Sequence, residues 1–176
     1  MKKFLLLTAI LFLTACTEQE EQTMSEAFHE NPAKGSLIYT HAINEKEGIA
    51  LFEIENRYGV HHLRKEEDGW HKSGGGSFGL EGPEPTEGVS SSSVTNPVGT
   101  SSLGGESVYR TTFVGRIYSK DIDSVFVRYD GSEEEAELVE YEGRTYYYIS
   151  KIGKDLGVTQ VRGLDAEGKV VYEHTE

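Results

Sequence analysis

Glycine turns at short, regular intervals constrain this chain more than any other feature. Ser36–Ile43 and Gly48–Glu55 are β-type runs separated by Asn44-Glu45-Lys46-Glu47-Gly48. Asn56-Arg57-Tyr58-Gly59 leads into Val60–Arg64, and Lys65-Glu66-Glu67-Asp68-Gly69 into Trp70–Lys72. Acidic or Asn-rich turns closing on Gly are what three- to five-residue hairpin loops prefer. The pattern predicts a small antiparallel meander of four strands at 35–72. The second half repeats the style. Tyr109–Tyr118, Ile122–Tyr129, Glu135–Tyr141, Arg144–Ser150, Val158–Leu164 and Lys169–Glu173 are divided by Asp130-Gly131, Glu142-Gly143 and Asp165-Ala166-Glu167-Gly168. Val125, Val127 and Tyr129 alternate with Ser124, Phe126 and Arg128, the period of a strand with two distinct faces. No window beyond the signal has a helical period of useful length. The expected fold is mainly β, with the meander joined to a β-sandwich-like module at 107–176. Between them, residues 73–106 carry Gly74-Gly75-Gly76, Ser90–Ser93 and Pro83, Pro85 and Pro97, a composition that predicts a long loop or linker.

The start of the chain sets the compartment. Met1-Lys2-Lys3 precedes an apolar run from Phe4 to Leu13, then Thr14-Ala15-Cys16. As a helix the run reaches roughly 20 Å, short of the ~30 Å hydrocarbon core, so it fits a signal peptide over 1–15 rather than a permanent span. Leu13-Thr14-Ala15-Cys16 resembles the lipobox of bacterial lipoproteins. That resemblance implies lipid on the Cys16 sulfur, cleavage before Cys16, and residence on the outer face of the cell membrane. Cys16 is the single cysteine. An unpaired cysteine in an exported chain needs a reason, and lipidation supplies one. Residues 16–34 read as a solvated tether with one short helix, Ser25 as its cap and Pro32 beyond its end. Flexible, the 17–34 segment spans roughly 25 Å. Fully extended it reaches roughly 60 Å.

The net charge is −13, and loss of Lys2 and Lys3 with the signal takes it to −15. So acidic a surface argues against nucleic acid and against adhesion to anionic head groups, leaving cations and basic peptides or proteins as partners. Of six histidines, His61, His62 and His71 are the candidate zinc or copper ligands, with His41 expected one strand further on. His61 and His62 are adjacent on a strand and point to opposite faces, and no H-x-x-x-H, H-E-x-x-H or C-x-x-C spacing occurs. Asp121, Asp123, Asp130, Glu133, Glu134 and Glu135 do not follow the calcium-loop pattern. Ser77, in Gly75-Gly76-Ser77-Phe78-Gly79, lacks the strand-to-helix context of a nucleophile elbow. Tyr146-Tyr147-Tyr148 sets tyrosines on both faces of one strand, and Tyr146 and Tyr148 are the candidate exposed platform for a peptide or glycan, against the alternative of cross-strand packing. Trp70 reads as a core anchor.

Leu51-Phe52-Glu53-Ile54, Asp68-Gly69-Trp70 before Gly74-Gly75-Gly76, Ile117–Val125, Ala136–Val139 and Leu164–Val171 together resemble a group of uncharacterised exported proteins and lipoproteins of Bacillus-type Gram-positive bacteria. The resemblance implies a two-part β architecture at the cell surface and brings no activity, and no cofactor is expected. The resulting expectation is a membrane-anchored, non-catalytic binding or envelope-interaction module, presenting a sheet face or edge to a protein, peptide or glycan. A metal-binding accessory lipoprotein using the strand histidines is the alternative, and an envelope hydrolase the third.

Overall fold

The computed structural model describes residues 21–30, 35–55, 57–79, 85–100, 107–154 and 157–175; the segment expected as a signal peptide, 1–15, and Cys16 lie outside them. The fold is mainly β. The elements run α1 (Met24–His29), β1 (Ser36–Ala42), β2 (Glu47–Ile54), β3 (Arg57–Glu66), β4 (Gly69–Gly79), β5 (Ser92–Thr100), β6 (Ser107–Ile117), β7 (Ser124–Tyr129), β8 (Ser132–Glu135), β9 (Glu137–Tyr141), β10 (Arg144–Gly153), β11 (Val158–Leu164) and β12 (Val170–Thr175). They form three antiparallel four-stranded sheets, ordered β1-β2-β3-β4, β5-β6-β10-β9 and β12-β11-β7-β8. The expected meander is the first sheet.

The sheets stack face to face. Ile49, Leu51, Tyr58 and Val60 of the first sheet pack on Val94, Val114, Tyr146 and Tyr148 of the second. On the second sheet's other side, Phe113, Tyr147 and Ile149 meet Val125, Val127, Tyr129 and Val161 of the third. The outer face of the first sheet is covered by α1, whose Ala27 and Phe28 pack on Ala50, Phe52 and Leu63. The middle sheet is therefore covered on both faces at its two central strands, which is why β6 and β10 bury consecutive residues, Arg110–Gly115 and Tyr146–Ile149, rather than alternate ones.

Four expectations about the fold need correction. The helix cap is Thr23, not Ser25. Thr23 Oγ1 accepts from the Glu26 amide at 3.2 Å, and the Glu26 carboxylate accepts from the Thr23 amide at 2.7 Å, a capping box. Residues 21–30 are not a solvated tether but are strapped to the first sheet. The Gln22 amide donates to Asp68 O at 3.0 Å, the Trp70 amide donates to Gln22 O at 2.9 Å, and Lys65 pairs with Glu21 at 2.6 Å.

Much of the stretch expected as loop is strand. Residues 73–79 belong to β4 and 92–100 to β5. The glycines there serve proximity rather than flexibility: a Cβ on Gly74 would overlap the Asn96 amide, and one on Gly76 would lie 3.1 Å from Val94 Cγ2. Only glycine lets β4 lie so close to β5 at the sandwich's side.

The run Glu135–Tyr141 is likewise two strands. At Ala136, buried and bonded through its amide to Val125 O at 2.8 Å, the chain steps from the third sheet to the second. Both hairpins flanking this step turn through left-handed pairs, Asp130-Gly131 (φ 44° and 74°) and Glu142-Gly143 (φ 49° and 74°), the geometry that matches strand twist.

Candidate functional site

Tyr146 and Tyr148 are not a platform. Tyr146, Tyr147 and Tyr148 are 1%, 0% and 4% exposed, because both faces of β10 are covered by neighbouring sheets. Tyr146 packs edge-on against Tyr58 at 6.2 Å between ring centroids, and Tyr148 lies under Tyr39 and His41 of β1 at 6.1 and 6.0 Å. Burial, with Glu53 close by, pushes the Tyr146 phenol up to about 12, and burial likewise raises Tyr148. Tyr147, facing the third sheet, donates to Ser90 O at 2.8 Å.

The structure does not gather His61, His62 and His71. His61 faces α1, where its ring lies 5.5 Å from Phe28 and 4.5 Å from Phe52. His62 faces the second sheet, its Nε2 2.8 Å from Thr112 Oγ1, which bonds in turn to Ser150 Oγ at 2.8 Å. Burial holds both imidazoles neutral, His61 down to about 4 and His62 down to about 3. His71 lies across from Arg64, nearer the strand end, with Nε2 2.8 Å from Asp68 Oδ1; that bond raises the imidazole and lowers the carboxyl. Among the described residues the one convergence of candidate metal ligands is Glu66, Asp68 and His71, on the exposed β3–β4 turn, and not the histidine set the sequence suggests. Two of the acids around β7–β8 are engaged otherwise: Glu133 pairs with Arg162 and Arg128, and Glu134 with Lys151 and Tyr129. Ser77 sits within β4 opposite Gly59, not in a turn.

Between the first and second sheets, fully buried Arg110 bonds to Glu47 and to Gly48 O at 3.3 Å, and Arg64 lies 3.3 Å from the same carboxylate. This locks the β2 start over β6. It fixes one end of the sandwich, beside which the candidate site lies.

That site comes from the step at Ala136. β10 pairs with β6 from Thr145 to Gly153, but with β9 only from Arg144 to Tyr148. Where β8 departs for the third sheet, Ile149–Gly153 keep a strand neighbour on one side only among the described residues. A cleft of about 220 Å³ opens at this notch, with His41 and Ile43 from the first sheet on one side, Glu134, Glu135 and Glu137 on the other, and Ile149, Ser150 and Lys151 between. Ile152, 48% exposed, continues the apolar margin. No sequence signal marks it, since it depends on two adjoining strands going to different sheets. A larger cleft of about 470 Å³ is bordered by Arg116, Lys120 and Arg144. Its two arginines are already held, Arg144 by Glu53 and Arg116 over the Tyr118 ring at 5.0 Å.

Compared with family models, with curated proteins and with solved structures, the chain matches none. The reading of function therefore rests on the residues themselves.

Proposed function

We propose that this chain is a lipid-anchored, extracytoplasmic, non-catalytic binding module that engages its partner through an open sheet edge. The observation that carries the reading is the notch at Ile149–Gly153, where backbone groups of a central strand lie beside a cleft instead of a neighbouring strand. Both faces of the second sheet and the inner faces of the other two are core, so the tyrosine face is not an available surface, whereas the edge beside Ile149–Gly153 is.

The lipobox-like start supplies the address, and the docked strap sharpens it. With Cys16 lipidated, only residues 17–20 separate the anchor from Glu21, a reach of at most about 18 Å. The strap joins the domain at Asp68–Trp70, on the end formed by the β1–β2 and β3–β4 turns. The notch opens at that same end, since Ile152 pairs with Arg110, which bonds to Glu47 and Gly48 at the β2 start. The partner is therefore sought against the membrane.

A hydrolase is disfavoured by the geometry: Ser150 reaches His62 only through Thr112, and His62 Nδ1 is buried without a hydrogen-bond partner to orient it. Among the described residues, the metal-binding reading retains Glu66, Asp68 and His71. The test is photo-crosslinking in intact cells from a probe at Ile152, with one at Val171 on the far edge as control. A product specific to Ile152, and loss of membrane fractionation in Cys16→Ser, support the proposal. Equal products from both positions, or none, refute it.

A further inference from the structure

Resting on that reading, we infer that the notch beside Ile149–Gly153 receives an extended basic peptide segment as an added strand. Three features of the site specify the occupant. The first is length: five residues of open edge measure about 17 Å, enough for a short strand and no more. The second is backbone geometry. β10 is held flat from the other side by β6 through Gly153, so its edge is preformed, and main-chain bonds can form without ordering it first.

The third is charge. Glu134, Glu135 and Glu137 border the cleft, and its one lysine, Lys151, is already bonded to Glu134. Glu135 and Glu137 are both exposed, and no ion pair is recorded for either among the described residues. A strand places alternate side chains on opposite sides. An entering segment would therefore set one row toward the first sheet, beside Ile43, Ile152 and Glu137, which shares the face of its partner Tyr148, and the other toward the third sheet, beside Ile149 and Glu134, with Glu135 at the rim. Each row meets aliphatic and acidic groups, which fits a segment combining aliphatic residues with Lys or Arg. An acidic strand, including a second copy of this acidic chain, would be repelled.

The experiment uses the full chain in neutral detergent and a blocked heptapeptide of alternating lysine and valine. Binding is measured by titration and its position by amide hydrogen exchange. The basic peptide is expected to bind and to slow exchange at the notch-facing amides of 149–153. A glutamate–valine peptide is expected not to bind, and peptides N-methylated at alternate residues should lose binding in one of the two registers. Glu135→Gln with Glu137→Gln should weaken binding about fivefold, whereas Glu142→Gln with Glu167→Gln, on the β9–β10 and β11–β12 turns at the opposite end of β10 and of the third sheet, should change it less than about twofold.

The inference is overturned by absence of binding up to about 1 mM, by protection elsewhere than 149–153, by equal weakening in the two double variants, or by full binding of both methylated peptides. Each of these leaves the crosslinking test of the binding role intact, because a partner caught from Ile152 could be acidic or folded. A failed crosslink would remove the role itself.

Discussion

Replacing His61 with phenylalanine separates two acid-labile positions that sit back to back on β3. His61 and His62 are 3% and 1% exposed and face different layers, so each loses solvation independently. Burial, aided at His61 by Lys72 and at His62 by Arg110, holds them down to about 4 and about 3 from an ordinary 6.5. The sign follows from linkage: the unfolded chain binds two protons near pH 6.5 that the folded chain refuses until near pH 4 and 3. Stability is therefore full above pH 6.5 and falls as the pH drops below it. Each proton is worth roughly 1 kcal/mol per pH unit, so the two histidines together cost about 2 kcal/mol between pH 6 and pH 5, where the unfolded imidazoles are mostly charged. His71 has the opposite sign. Its folded value is raised, so it contributes below 6.5 and loses that contribution as pH rises through its folded value, outside this window. Asp68 and Glu134, whose folded values are lowered, lose their contribution at lower pH still. In His61→Phe the new ring joins Phe28 and Phe52, whatever that does to absolute stability. Urea unfolding at pH 6.0 and 5.0 should show the pH-dependent loss reduced to about half the wild-type value. An unchanged loss would refute the assignment of that proton to His61.

Three further outcomes follow from the packing. Gly115→Ala should destabilise by about 3 kcal/mol in urea unfolding, because its Cβ would overlap both Ser90 O, on backbone, and the buried Tyr147 ring. Tyr147→Phe should cost about 1 to 2 kcal/mol by the same assay, since it removes the donor to Ser90 O and leaves that acceptor without its partner. Thr23→Ala should speed amide exchange at Ala27 and Glu30 about fivefold, the effect of a lost cap, while leaving β6 and β10 amides unchanged.

What could be read from the sequence was local. The four-stranded meander and the Asp130-Gly131 and Glu142-Gly143 hairpins are written in turn chemistry, and the structure keeps them. The capping box was also legible, since Thr23-Met24-Ser25-Glu26 carries the spacing, though Ser25 drew the assignment. The layers were not legible. Tyr146 and Tyr148 suggest an exposed face only if β10 belongs to a two-layer sandwich; a third sheet buries both faces, and no local pattern announces a third sheet. Gly74-Gly75-Gly76 reads as a flexible stretch, because composition does not distinguish glycine kept for freedom from glycine kept for closeness. The His61–His62–His71 cluster fails for a geometric reason. Adjacent residues on a strand diverge, and the turn returns β4 with His71 opposite Arg64, three residues before the glycine facing His62.

The notch follows from the same layering that hides the tyrosines. To stack three sheets from one chain, a strand has to pass from one layer to the next, and here β8 and β9 do so at Ala136, with its amide bonded to Val125 O. The step lets each half complete a different sheet, but β9 is too short to cover β10, and Ile149–Gly153 are left beside the gap. An open edge is an aggregation hazard that charge can suppress. Glu134, Glu135 and Glu137 stand at this edge, and Glu140 lies further along β9. The carboxylates that deter a second acidic copy are the groups that would admit a basic strand, so protection and recognition require the same residues. Neutralising Glu135 and Glu137 therefore carries two expected signs in one variant: weaker capture of the lysine–valine peptide, and a greater tendency of the full chain to self-associate at high concentration, read by light scattering. Loss of peptide binding without any rise in self-association would separate the two roles and leave the edge guarded by something other than charge.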